Sequence, residues 1–266
     1  MTLASNPKVF ILLGDAGAGK SSFINFLYNY FYGTQEVNEI FSSNSKVKLA
    51  IPCVNWLDCL DQNYKNNHSE LDINDQTRSQ TKTCTAYTFR NNTIQLTIID
   101  TPGFNDTSGT HIDQHNLTLI EETLKQLPYL TGIIFVVNGS RPRIGESFKN
   151  FLHLIHQIWP NDLLNNCVAI LTNCDETSVN LDPLVLDRDL NVNKERTFTF
   201  QNSLFRWDRK IESSKMIRRL NDDFQDNIEK VDPLIQILLK FSDVSTKVFE
   251  MSAIKVSIIE TNISQS

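Results

Sequence analysis

An eight-residue stretch, Gly-Asp-Ala-Gly-Ala-Gly-Lys-Ser at positions 14–21, has the residue types and the spacing of a phosphate-binding loop. Its glycines allow the backbone to turn several N–H groups toward one anion, and a helix beginning at Lys20 adds its positive dipole end. Lys20 can then reach the β- and γ-phosphates of a nucleotide, while Ser21 offers its hydroxyl to Mg²⁺. The residues of this stretch predicted to bind the nucleotide are Gly14, Asp15, Ala16, Gly17, Ala18, Gly19, Lys20, Ser21 and Ser22.

Two acidic residues that follow apolar runs are candidates for metal binding and base recognition. Asp100 closes the run 94–99 and can enter the Mg²⁺ shell, and Gly103 can give its backbone N–H to the γ-phosphate. Asp175 ends a Thr-Asn-Cys-Asp segment and can accept both the N1 and the N2 hydrogens of guanine, with Thr172 and Asn173 beside it. Taken alone, this segment also fits an Asx-type turn.

A threonine ahead of a predicted hairpin can complete the metal shell. Thr81 lies in Ser-Gln-Thr-Lys-Thr-Cys at 79–84, and its hydroxyl can reach Mg²⁺ through a mobile loop. Thr77 and Thr83 remain alternatives, because the polar segment before them is long. Lys20, Thr81 and Gly103 are therefore predicted to act at the γ-phosphate, and the order of these pieces along the chain is that of a GTPase.

A last guanine contact is expected after the final strand. Asn202 lies in Phe-Gln-Asn-Ser at 200–203 and follows a strand-like run, whereas the competing segment Met-Ser-Ala-Ile at 251–254 lies in a helical pattern. The spacing favours Asn202, with Ser203 beside it, because the segment between Asp175 and such a last contact usually holds a single helix.

Apolar runs at 8–13, 94–99, 133–137 and 168–171 are predicted strands. Their alternation with helical patterns is typical of an α/β fold with a mostly parallel sheet. We expect a P-loop NTPase architecture, a three-layer αβα sandwich followed by a C-terminal helical extension. The runs 84–89 and 94–99 are expected to form a hairpin, and 34–80 to be a partly mobile insertion. The expected domains are a P-loop GTPase (G) domain over 1–206 and the helical extension over 207–266.

Composition narrows the class of protein. The 266 residues are 40% hydrophobic and 21% charged, which is ordinary for a chain with a full core. A net charge of -6 argues against a nucleic-acid surface. Five cysteines without a C-x-x-C pair indicate reduced thiols in the cytoplasm, and neither a signal peptide nor a transmembrane segment is predicted.

The segments 14–25, 80–84 and 100–107 resemble the septin-related (paraseptin) branch of P-loop GTPases, which includes septins, chloroplast import GTPases and immunity-associated nucleotide-binding (avirulence-induced) proteins. The last group is the most similar, since its members carry a similar Thr-Lys-Thr-Cys run and a similar Asp-Thr-Pro-Gly segment. The likeness covers approximately residues 8–203 and implies GTP or GDP with Mg²⁺ as ligands. Asn173 departs from it, because it stands where the guanine box usually has lysine.

The leading functional hypothesis is a slow GTPase switch. Phe104 stands where Ras-like enzymes keep a water-orienting glutamine, a substitution that the resembled branch shares. A second copy in a GTP-dependent homodimer, or an activating protein, can supply the missing group. A scaffold that oligomerises with little hydrolysis is the second hypothesis. An ATP-using enzyme is the third, although no arginine-rich lid or acceptor pocket is evident.

Overall fold

The computed structural model describes residues 7–41, 45–70, 81, 83–104, 110–201, 203–207, 211, 213–247 and 249, without the side chains of 37, 38 and 110–114. Among the predicted site residues, Asn202 lies outside the described residues. The alternative threonine Thr77 and the competing segment 251–254 lie outside them as well.

Strands and helices alternate along most of the chain. The strands are β1 (Lys8–Leu13), β2 (Thr85–Arg90), β3 (Gln95–Asp100), β4 (Tyr129–Leu130), β5 (Gly132–Asn138), β6 (Cys167–Thr172), β7 (Thr197–Phe200) and β8 (Val244–Ser245). The α-helices are α1 (Lys20–Tyr32), α2 (Val37–Ile40), α3 (Thr110–Lys125), α4 (Glu146–Ile158), α5 (Asn161–Leu164), α6 (Pro183–Arg188) and α7 (Ser214–Lys240). Short 3₁₀ turns lie at Val54–Cys59, Gln62–Tyr64, Lys194–Arg196 and Leu204–Arg206.

Six of these strands form one sheet in the spatial order β2-β3-β1-β5-β6-β7. The pairs from β3 to β7 are parallel, and β2 joins the edge antiparallel to β3, as the predicted hairpin requires. Parallel strands place their carboxyl ends at one edge of the sheet, so the segments that follow β1, β3 and β6 meet there. This edge carries the predicted site.

Helices cover both faces of the sheet. Phe10 and Leu12 of β1 belong to an apolar cluster with the buried residues of α1 and α7, whereas Ile11 and Leu13 belong to a second cluster with those of α3 and α4. This alternation follows from the two-residue period of a strand. The predicted α/β fold with three layers is confirmed.

Two buried asparagines on α1 fix the segment that precedes the hairpin. Asn25 Nδ2 donates to Ile51 O at 2.9 Å, and its Oδ1 accepts from the N–H groups of Ala50 and Ile51 at 3.1 and 2.8 Å. Asn29 Oδ1 accepts from Lys48 N at 3.2 Å in the same way. The stretch 45–70 of the expected insertion is therefore packed onto the core: its buried side chains include Val47, Leu49, Ala50, Ile51 and Trp56.

The chain beyond residue 207 is bound to the sheet at several points. Leu220, Phe224 and Val231 of α7 are buried in the cluster that α1 shares. The expectation of helix alone in this region is wrong at β8, which pairs with β4 through two residues. A strand of two residues carries no readable periodicity, and its position depends on where α7 ends. The division at residue 206 stays a prediction.

Candidate functional site

The loop between β1 and α1 has the backbone that its glycines allow. Gly17 and Gly19 have φ angles of 72° and 97°, in the left-handed region that disfavours side chains. Gly14 has no room for one, because a Cβ there would lie 2.1 Å from the carbonyl oxygen of Val136 on β5. The loop therefore curls over the end of the sheet, and its backbone continues directly into the first turn of α1.

Lys20 lies buried at the start of α1. Its Nζ donates to the carbonyl oxygens of Gly14 and Asp15 at 3.0 and 3.1 Å. Burial lowers the pKa of Lys20, and the negative charges of Asp100 and Asp15 oppose that shift. The ammonium group is thus held inside the curl of the loop, where it can exchange backbone carbonyls for phosphate oxygens.

Asp100, at the end of β3, is fully buried and only half satisfied. Its Oδ2 accepts from Ser69 Oγ at 2.7 Å, and Ser69 is itself held by the hydroxyl of Tyr87 on β2. Its Oδ1 is buried and has no hydrogen-bond partner among the described residues. Burial raises the pKa of Asp100 to about 6, against the opposing effect of Lys20. A buried carboxylate oxygen with no partner is unfavourable unless a cation approaches it.

A cavity of about 520 Å³ opens above the loop and gathers residues from several elements. This volume is within the usual range of small-ligand sites. Among the predicted site residues, those that line it are Ala16, Gly17, Gly19, Lys20, Ser21, Ser22, Thr81 and Gly103. Thr81 is buried, whereas Thr83 is exposed, so of the two described threonines Thr81 is the one placed at the site.

Phe104 turns away from this cavity. Its ring stacks on Phe151 and Phe148 of α4, with centroid distances of 4.1 and 5.9 Å, and is buried. Its backbone remains at the loop, since Ala16 N donates to Phe104 O at 2.6 Å and Phe104 N donates to Gly14 O at 3.3 Å. Phe104 is therefore a core residue and does not orient water.

Thr172, at the end of β6, supports the phosphate loop. Its hydroxyl donates to the carbonyl oxygen of Ala18 and lies 3.2 Å from that of Val137. A Cβ on Gly19 would lie 3.2 Å from Thr172 Cγ2, so the two segments are in close contact. Thr172 is a predicted nucleotide-binding residue. In the structure its side chain contacts the phosphate loop at Ala18 and Gly19 and does not line the cavity.

Asp175 caps a turn, as the alternative interpretation of its segment predicts. Its Oδ1 accepts from the backbone N–H and the hydroxyl of both Thr177 and Ser178, at distances of 2.7 to 2.9 Å. These hydrogen bonds lower the pKa of Asp175 to about 2. Asn173 has a φ of 56°, which tightens the chain between Thr172 and Asp175. No residue of the 172–175 segment lines the described cavity.

The guanine-side segments are joined to α7. Asn227 exchanges two hydrogen bonds of 3.1 Å with the backbone of Gln201, and Ser203 Oγ donates to Asp223 Oδ2 at 3.3 Å. Lys230 pairs with Glu176, the residue after Asp175, at 2.8 Å. One face of α7 thus holds both loops that were predicted to recognise the base.

Several cavity residues were not identified from the sequence. The segment 51–55 and the pair Phe205 and Arg206 form one wall, and Glu70 lies beside Ser21. Burial raises the pKa of Glu70 to about 7, and the contact with the Ser21 hydroxyl opposes that rise. Glu70 lies in a polar stretch without periodicity, so no local signal marks it.

Comparison with solved structures finds chains that are similar to this one. The GDP and Mg²⁺ complex of Toc33 from Arabidopsis thaliana has a TM-score of 0.52 at 14% identity, with 91% of this chain and 88% of that chain covered. The Toc33 complex with Mg²⁺ and GMPPNP has a TM-score of 0.43 at 13% identity, covering 83% of this chain and 85% of that one. The FeoB G-domain from Methanococcus jannaschii has a TM-score of 0.37 at 11% identity, covering 82% of this chain and all of that domain.

Comparison with models of protein families gives no match, and comparison with curated proteins gives none. The sheet order, the phosphate loop and the likeness to the GDP complex of Toc33 together define the fold of a P-loop GTPase G domain. Over the part of the chain that the structure describes, none of the helices has the length and apolar content that crossing a membrane requires.

Proposed function

We propose that this protein binds GTP and GDP together with Mg²⁺ and works as a slowly hydrolysing molecular switch. The observation that carries the proposal is the cavity in which Lys20 and Ser21 of the phosphate loop lie with Thr81 and Gly103 from two other segments. Toc33, which has the same fold, was crystallised with GDP and Mg²⁺.

The phosphates would be bound by the curl of the loop. The first turn of α1 presents free N–H groups and the positive end of the helix dipole. Lys20 is buried and already faces the loop interior, so it adds a full charge at low solvent exposure. Charge-assisted hydrogen bonds of this kind are about twice as strong as neutral ones.

The oxygen atoms beside the loop fit a magnesium ion. Asp100 offers a buried oxygen that has no hydrogen-bond partner within the described part of the chain, and Ser21 and Thr81 offer hydroxyls at the cavity. Magnesium is typically held by one or two carboxylates together with substrate phosphates. When bound, it would neutralise negative charge that develops on the phosphates. Ser69 fixes the Asp100 carboxylate so that Oδ1 remains available.

Base recognition is assigned to Asp175, with Asn202 as the expected second contact. The low pKa of Asp175 keeps its carboxylate ionised at neutral pH, as an acceptor for two guanine hydrogens must be. The turn that fixes Oδ1 through Thr177 and Ser178 leaves Oδ2 out of those four hydrogen bonds. Nucleotide binding would have to bring this turn to the base.

Hydrolysis is expected to be slow, because Phe104 is packed in the core and cannot position a water molecule. A partner would supply that group, either a second copy of this chain in a GTP-dependent homodimer or an activating protein. A scaffold that binds nucleotide and hydrolyses little is the second candidate, and the same burial of Phe104 favours it.

The septin-related branch, and within it the immunity-associated nucleotide-binding proteins, remains our proposed family on the strength of the motif resemblance. A reducing compartment such as the cytoplasm suits the five cysteines, all of which are free thiols.

The proposal is tested by the nucleotide content of the purified protein. The protein is denatured, and the released nucleotide is separated by chromatography. GDP or GTP, in an amount close to one per chain when Mg²⁺ is kept throughout, is the expected result. Adenine nucleotide in place of guanine would favour the ATP-using alternative and overturn the proposal.

A further inference from the structure

The metal site gathers one carboxylate more than the GTPase motifs supply. Glu70 lines the cavity together with Lys20, Ser21 and Thr81. Its carboxyl contacts the hydroxyl of Ser21, the proposed Mg²⁺ ligand of the loop, and lies within the electrostatic reach of Asp100. Residues 69 and 70 therefore reach the site from the segment before the hairpin. This segment is separate in sequence from the phosphate loop 14–21 and from the segment 100–103.

The backbone around Glu70 is fixed on three sides. Ser69 N donates to the hydroxyl of Tyr87 at 2.9 Å, and Ser69 Oγ donates to Asp100 Oδ2 at 2.7 Å. Glu70 itself pairs with Thr81 in an isolated antiparallel bridge. These contacts place the Glu70 carboxyl and the Thr81 hydroxyl on neighbouring segments that line the same cavity. An exposed glutamate on a loop would have none of them.

Two carboxylates beside each other in a buried site repel one another, and burial adds to the cost. Asp100, whose charge acts on both Lys20 and Glu70, has a buried Oδ1 that finds no hydrogen-bond partner among the residues that the structure describes, which is an independent sign that a ligand belongs there. Oxygen atoms of carboxylates and hydroxyls are the donors that Mg²⁺ prefers. A divalent cation would remove both penalties.

We propose that Glu70 supplies a second carboxylate to the Mg²⁺ site, next to Ser21 and in addition to the motif residue Asp100. This inference rests on the proposed nucleotide function and deepens it. Glu70 is then a positioning residue for the metal and not a group that recognises the base. Its removal should weaken the dependence on Mg²⁺ without removing the affinity for the nucleotide itself.

The test is a magnesium titration of fluorescent GDP bound to the full chain, with a parallel measurement in EDTA. Glu70→Gln keeps the shape and removes the charge, Glu70→Asp keeps the charge on a shorter arm, and Glu195→Gln, an exposed glutamate far from the site, is the matched control. Glu70→Gln is expected to need about tenfold more Mg²⁺ for half-saturation, as metal-site substitutions typically do. Glu70→Asp should be intermediate, and the control should match the unmodified protein.

Two results would overturn the inference while the proposed function stands. One is an unchanged magnesium midpoint in Glu70→Gln. The other is tighter binding in EDTA with an unchanged midpoint, which would make Glu70 a competitor of the nucleotide. Failure of the unmodified protein to bind fluorescent GDP would instead overturn the proposed function, and this inference with it.

Discussion

Lys20 and Asp100 are buried residues of opposite charge, and they differ in how far the protein satisfies their hydrogen-bonding groups. Lys20 finds two backbone carbonyls within its own loop, so its charge is stabilised locally. Asp100 is held by Ser69 through one oxygen, and its other oxygen has no partner in the part of the chain that the structure describes. Such an atom costs free energy in a core unless a ligand compensates for it, and beside the phosphate loop that ligand would be a metal ion.

At the scale of single residues, we predict that Asp175→Asn changes the preferred base from guanine to xanthine. Asparagine keeps an Oδ1 for the hydrogen bonds from Thr177 and Ser178, so the turn should stay folded. It lacks the second acceptor that the N1 and N2 hydrogens of guanine require. The affinity for GDP should fall about a hundredfold or more, since a mismatch of buried polar groups is strongly rejected.

The measurement is competition of GDP and xanthosine diphosphate against a fluorescent nucleotide, with Asp187→Asn, which changes an exposed aspartate, as the control. Because the pKa of Asp175 is about 2, the guanine preference of the unmodified protein should not vary between about pH 5 and 8. An Asp175→Asn protein that retains its GDP affinity would exclude Asp175 from base recognition.

At the scale of elements, α1 has two roles. Its N-terminus carries the phosphate loop, and its buried face holds the segment 48–51 through Asn25 and Asn29. Ile51 and Pro52 then continue as the wall of the cavity. The helix thus fixes both the floor and one wall of the site.

We predict that Asn25→Ala destabilises the protein through this wall. The substitution leaves the N–H groups of Ala50 and Ile51 and the carbonyl of Ile51 without their partners in a buried position. The free energy of unfolding should fall by about 3 kcal/mol or more, since each of these three unsatisfied buried groups costs about 1–3 kcal/mol. Urea unfolding followed by circular dichroism measures it, with the exposed Asn67→Ala as control. A loss as small as that of the control would mean that the wall does not depend on Asn25.

The sequence predicts those elements whose signals are local. The structure confirms the apolar runs of β1, β3, β5 and β6, the hairpin and the phosphate loop. Each can be predicted because a buried strand or a glycine-rich turn depends on residues that are neighbours in the sequence. Ser69 and Glu70 could not be found in this way. They reach Asp100 and Ser21 only after β2 and β3 pair and the segment before them packs on α1. The pairing of the two-residue strand β8 with β4 likewise depends on where α7 ends.

At the scale of the whole molecule, α7 connects the two loops that are proposed to recognise guanine to the body of the protein. Asn227 holds Gln201, and Lys230 holds Glu176 next to Asp175. The same helix buries Leu234 and Leu238 under the sheet. A rearrangement of these two loops, which are proposed to recognise the base, would therefore be transmitted to the C-terminal part of the chain.

We predict that GTP hydrolysis per molecule rises with protein concentration. Phe104 is stacked on Phe151 and cannot orient water, so turnover by a lone chain should be slow, on the order of 10⁻⁴ to 10⁻² per second. A second copy across the nucleotide site would supply the missing group. The measurement is turnover across a dilution series of about a hundredfold, with light scattering in GTP and in GDP to follow dimer formation.

Hydrolysis that stays constant over the series in a strictly monomeric protein would contradict the dimer mechanism. A monomer without hydrolysis would point to an activating protein or to the scaffold alternative.

The central claim is that the cavity at Lys20 binds a guanine nucleotide, and direct competition tests it most closely. Fluorescent GDP bound in the presence of Mg²⁺ is displaced by unlabelled GTP, GDP and ATP, for the unmodified protein, for Lys20→Ala and for the exposed Lys194→Ala as control. GTP and GDP should displace it at concentrations about a hundredfold below that of ATP or lower. Lys20→Ala should not bind the probe, and Lys194→Ala should behave as the unmodified protein. ATP that competes as well as GTP, or a folded Lys20→Ala protein with near-native affinity, would contradict the claim.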